Sequence, residues 1–73
     1  MSDETHEVEV EGTWIKTGQR VRVIAMAMGK AGGKPRAQDV LAVRTPKGEM
    51  LNPVGGNVFQ CIDSGQQMKL DLP

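Results

Sequence analysis

The chain has 73 residues, room for one small domain that buries only about 60% of its unfolded surface. Val, Ile, Leu and Phe supply 16 of those 73 residues, just above the roughly one fifth below which chains stay disordered, so one thin core is possible and multi-domain enzymes and repeat arrays are excluded. The formal net charge is zero, which hides a strong segregation of acids from bases along the chain.

The acids come first. Residues 1–11 carry Asp3, Glu4, Glu7, Glu9 and Glu11 with no Lys or Arg, and we treat them as an acidic N-terminal arm or edge strand preceding a single small β domain over 12–73. From His6 to Glu11 the chain alternates strictly, with Val8 and Val10 on one face and the glutamates on the other, the period of a half-buried strand. Glutamates along one face also suit an exposed edge, where charge deters unwanted pairing. His6 reads as a solvent-exposed histidine of the acidic segment. Gly12 interrupts the run, and Thr13–Thr17 is a short β-prone stretch ending at Gly18.

Residues 12–47 carry eight Lys and Arg against Asp39 alone. Arg20-Val21-Arg22-Val23 alternates again and runs into the apolar segment through Met28, the best strand in the chain. Gly29–Gln38 holds three glycines, a proline and three cations, the composition of a long loop. Residues 39–45 are apolar on both faces, as a central strand would be; a short helix over 36–44 is the alternative, started by Pro35 and stopped by Pro46. Pro46-Lys47-Gly48-Glu49 has turn chemistry. Asn52–Asn57 is a second cluster of breakers, Val58–Ile62 a strand, Asp63-Ser64-Gly65 a turn, and Met68, Leu70 and Leu72 alternate with polar residues in a last strand. Five or six short strands with frequent turns predict a mainly β fold: a small antiparallel sheet or barrel in the SH3-like or OB-like size class, with α+β as the alternative if 36–44 is helical.

Catalytic chemistry is hard to assemble from these residues. Cys61 shares a strand face with Phe59 and reads as a buried, inert thiol; being the single cysteine it cannot form an internal disulfide. One histidine and one cysteine make no zinc site. The Gly29–Pro35 loop has three residues, not four, before its Gly-Lys, and proline where a Walker loop needs Ser or Thr. We expect no enzyme, no metal and no cofactor. The longest apolar run, Val23–Met28, is far shorter than a membrane span, and the acidic start is unlike a signal peptide, so a soluble protein of a reducing cytosol is expected.

Three features could bind. The cations Lys30, Lys34 and Arg36 on the glycine-rich loop, joined by Arg20 and Arg22, could follow a phosphodiester backbone. Trp14 is either the central core side chain of a barrel poor in aromatics or an exposed anchor. The acidic Glu-Val segment fits a protein partner better than nucleic acid, and could extend a partner's sheet.

The acidic start Met1-Ser2-Asp3-Glu4-Thr5-His6-Glu7-Val8 and the loop Gly29-Lys30-Ala31-Gly32-Gly33-Lys34, in a chain of this length, resemble a small lytic-phage transcription regulator that binds host RNA polymerase. The resemblance covers the whole chain and rests on no defined motif. It implies docking near the RNA exit channel, on the N-terminal region of the β′ subunit and the neighbouring β flap. It also implies inhibition of host promoters by displacement of the sigma factor, and read-through of terminators, in the cytoplasm of the infected cell. Charge and exposure then assign polymerase binding to Glu7, Val8, Glu9, Val10 and Trp14. Proximity to nascent RNA or upstream DNA falls to Lys30, Lys34, Arg36, Arg20 and Arg22. The rival readings are a nucleic-acid-binding barrel with an acidic autoinhibitory tail, and an assembly protein that self-associates through its Glu-Val edge.

Overall fold

A computed structural model describes residues 5–29 and 35–72. Six strands form a closed antiparallel barrel in which each strand pairs with its neighbours in the chain. They are β1 (Thr5–Trp14), β2 (Arg20–Met28), β3 (Val40–Arg44), β4 (Met50–Gly55), β5 (Val58–Cys61) and β6 (Gln67–Leu70), with one 3-10 turn at Ala37–Asp39. The connectivity is therefore up-and-down, and the fold is the small mainly β barrel that the strand pattern predicts. The β1–β2, β3–β4 and β5–β6 turns lie at one end, called the upper end below. The helix considered for 36–44 reduces to the 3-10 turn, and Val40–Arg44 is a strand.

Alternation builds the interior. Val10, Val23, Ala25, Ala27, Val40, Val43, Leu51, Phe59, Cys61, Met68, Leu70 and Leu72 are buried and form one core. Small side chains on β2 face larger ones on β1: Ala25 is opposite Val8 and Ala27 opposite His6. His6 thus faces inward, not to solvent as its acidic surroundings suggested, and its two ring nitrogens are buried with no hydrogen-bond partner among the described residues. Two bulges explain exposed apolar residues. Val40 pairs with Ala27 and Ala42 with Met26, which leaves Leu41 as the extra residue of β3; Pro53 pairs with Phe59 and Gly55 with Val58, which leaves Val54 extra on β4.

Two glycine and proline signals mean something different in the folded chain. β1 continues through Gly12 to Trp14, so neither the break expected at Gly12 nor the division at residue 11 coincides with an element boundary. A Cβ at Gly12 would lie 2.9 Å from Met68 Cγ and 3.0 Å from Leu70 Cδ2, and Met68 is fully buried. The missing side chain is what lets β1 approach β6 and close the barrel. Likewise β4 runs through the breaker cluster as far as Gly55. Pro53 is tolerated because β4 pairs with β3 only at Met50 and Leu51, so the proline has a partner strand on one side alone.

The turns are made by the residues their chemistry selects. Gly48 has φ +89°, and the Thr45 hydroxyl accepts the Glu49 N–H at 3.1 Å, which holds the β3–β4 turn closed. At the lower end the Asn57 amide donates to the carbonyls of Leu70 at 3.3 Å and Leu72 at 2.8 Å, drawing the segment after β6 under the barrel.

Gly12→Val forces either Met68 or the β1–β6 seam to move. It is expected to lower the unfolding free energy by about 1–3 kcal/mol, the usual cost of overpacking. A urea midpoint equal to the wild-type value would contradict the close-approach role of Gly12.

Candidate functional site

β1 sorts its side chains by parity. Glu7, Glu9 and Glu11 all point outward and are exposed, and Val8 and Val10 point inward. The outward row continues across the barrel: Glu7 is opposite Met26, Glu9 opposite Ile24, and Glu11 opposite Arg22. Ile24 in turn is opposite Arg44, Arg44 opposite Met50, and the Ile62 N–H donates to the Met50 carbonyl at 3.0 Å. An acidic strip on β1 therefore borders an apolar band of Ile24, Met26, Met28, Ala42, Met50 and Ile62. Met28 and Met50 are each 40% exposed and Ile62 61%. A shallow depression lined by Glu7, Ile24, Met26, Ala42, Arg44 and Met50 joins the strip to the band.

Arginines from the basic middle of the chain answer two of the three carboxylates. Arg44 lies 3.4 Å from Glu7, and Arg20 pairs with Glu11. All four side chains are about half exposed or more, so each pair contributes about 0–1 kcal/mol. Glu9 has no ion pair among the described residues.

The sequence-derived binding residues do not form one patch. Glu7 and Glu9 lie on the acidic strip, whereas Val8 is half-buried and Val10 buried on the inner face, so Val10 offers a partner no side chain. Trp14 sits at the upper end, partly buried against the core. It walls a pocket of about 280 Å³ with Thr17, Gln19, Val21, Pro46 and Lys47. The two readings of this tryptophan, core and surface, both describe part of the ring. It lies roughly 23 Å along β1 from Glu7, at about 3.3 Å per residue.

The cations among the described residues do not converge either. Arg20 and Arg22 lie on the outer face of β2 beside Thr13 and Glu11. Arg36 is exposed at the lower end, at a recess of about 460 Å³ shared with Gln38, Pro53, Gly56 and Asn57. Lys30 and Lys34 lie outside the described residues. Cys61 is buried in the core. Among the described residues no group of three or more His, Cys, Asp or Glu could hold a metal ion, and no helix is long and apolar enough to cross a membrane.

Sequence reasoning missed the apolar band. Its signal was present: Val23–Met28 is apolar at every position, so whichever alternate residues face the core, the others must face out. No protein-family model matches this chain, and no curated protein or solved structure matches it.

Because the acidic strip is exposed and its ion pairs are weak, the triple variant Glu7→Gln, Glu9→Gln, Glu11→Gln should stay within about 1 kcal/mol of wild-type stability in urea. A larger loss would make the strip part of what holds the fold together.

Proposed function

We propose that this protein is a bacteriophage-encoded regulator of transcription that binds the host RNA polymerase and acts without catalysis or cofactor in the cytoplasm of the infected bacterium. It docks near the RNA exit channel, on the N-terminal region of the β′ subunit and the β flap. There it displaces the sigma factor from host promoters and favours terminator read-through.

The observation that carries a protein partner is the exposed acidic strip of Glu7, Glu9 and Glu11 bordering the apolar band of Ile24, Met26, Met50 and Ile62. Carboxylates repel phosphates, and an exposed methionine-rich surface is adaptable packing material for another protein. The opposite reading, a barrel that binds nucleic acid by itself, needs converging cations. Arg20 and Arg44 are instead engaged by Glu11 and Glu7, and Arg36 lies at the other end of the barrel from Arg20. The identity of the partner comes from the resemblance of the whole chain to phage regulators of polymerase. Nascent RNA or upstream DNA would meet the loop that carries Lys30, Lys34 and Arg36.

The mechanism is occupancy. A stoichiometric binder shifts polymerase away from the sigma-bound form only by as much as it prefers the sigma-free form. Electrostatic attraction between the acidic strip and a basic rim would speed encounter and make it salt-dependent.

Gel filtration with core polymerase and holoenzyme tests this directly. Co-elution, with sigma lost from the holoenzyme, is the expected result. Glu7→Lys with Glu9→Lys should weaken it about tenfold or more, by converting attraction to repulsion. Absence of co-elution with polymerases from several bacteria would overturn the proposal.

A further inference from the structure

We infer that the outer edge of β1 between Thr5 and Val10 takes up an additional, extended strand from the partner. That strand carries Lys or Arg at alternate positions and small apolar residues between them. The inference rests on the reading of the acidic face as a protein-binding surface, and adds how the partner is held.

Hydrogen-bond parity along β1 leads to this. The Trp14 N–H donates to the Gln19 carbonyl at 2.9 Å, so even-numbered residues of β1 direct their main-chain groups towards β2. The Ile15 N–H donates to the Gln67 carbonyl at 3.0 Å and the Asp71 N–H donates to the Glu11 carbonyl at 2.9 Å, so odd-numbered residues direct theirs towards β6. But β6 pairs with β1 only at Gly12, Thr13 and Trp14. Among the described residues Asp71 is the last to bond to β1, and there the chain bends: the Leu72 N–H turns back to the Leu70 carbonyl at 3.0 Å. The main-chain groups of Thr5, Glu7 and Glu9 therefore face a side on which no described strand lies. Among the described residues that side is open over Thr5–Val10, about 20 Å at the usual strand rise, room for a strand of five or six residues.

The side chains then specify the occupant. Residues of an added strand that lie opposite Glu7 and Glu9 share the outward face with those carboxylates, which selects cations there. Glu9 selects most strongly, since Glu7 is shared with Arg44 and Glu11 is held by Arg20. The intervening residues share the inward face with Val8, which is only half-buried and gains cover from a small apolar neighbour. The proposed strand is antiparallel to β1, as every pairing in the barrel is. A second copy of this chain is the wrong occupant: two β1 edges would bring glutamates of both copies side by side, which is destabilising.

The test uses the full-length protein and the capped peptide Lys-Val-Lys-Val-Lys-Val-Lys, followed by amide exchange and chemical shift in NMR. The peptide should slow exchange of the Glu7 and Glu9 amides with those of Val8 and Val10 unchanged, and a Glu-Val peptide of the same length should not. A protein made by chemical ligation with N-methyl-Glu9 keeps the carboxylate and the β2 pairing but loses one outward N–H. It should bind the peptide, and polymerase, about tenfold more weakly at unchanged urea stability. Unslowed Glu7 and Glu9 exchange at saturating peptide, or full binding by the N-methyl protein, would overturn strand addition. Slow exchange of these amides in concentrated protein alone would also overturn it, in favour of self-pairing. Polymerase binding that survives N-methylation removes strand addition and leaves the polymerase reading standing; peptide binding with no polymerase binding removes the polymerase reading alone.

Discussion

The barrel depends on the close approach of β1 to β6 at Gly12. β1 is ten residues long and β6 four, so they can share only part of their lengths, and the shared part, Gly12–Trp14, begins at the one residue of it that has no side chain. Met68 and Leu70 fill the space a Cβ would take. The free half of β1 is a consequence of the same geometry. Asn57 holds Leu72 beneath the core, and among the described residues the seam opens below Glu11. Closure and an edge without a partner strand among the described residues are thus two results of one strand-length mismatch.

That mismatch gives meaning to the charge pattern. A free strand edge is a hazard for a small protein, and outward glutamates protect it against copies of itself. The same carboxylates lie beside arginines from β2 and β3, so the acids at the start of the chain and the bases of its middle meet across strands. The surplus falls on Glu9, next to an apolar band that β2, β3 and β4 contribute to. A surface of this composition discriminates by charge and adapts by methionine side chains, the properties wanted for gripping a protein many times larger and displacing a competitor from it.

Much of the fold was legible in the chain. Strict alternation in His6–Glu11 and in Met68–Leu72 marked half-buried strands, and Pro46–Glu49 marked its turn, because these signals are local. What was hidden depended on residues distant in sequence. Gly12 reads as a break until Met68 is known to lie against it. Pro53 reads as a terminator until β3 is known to stop short of it. His6 sits among acids in sequence but faces Ala27 across the strand pair. The candidate site divided in the same way. The acidic row was visible, whereas the Glu7–Arg44 pair, 37 residues apart in the chain, and the apolar band across β2, β3 and β4 exist only once the barrel closes.

The most direct measurement is amide hydrogen exchange of the free protein along β1, comparing residues of one parity on either side of Gly12. Partial closure predicts that the Thr13 amide, which faces β6, is protected, while those of Glu7 and Glu9 exchange at nearly unprotected rates. Val8 and Val10, which face β2, should be slow. Protection of Glu7 and Glu9 equal to that of Thr13 would mean that the edge is already occupied, and would contradict the account.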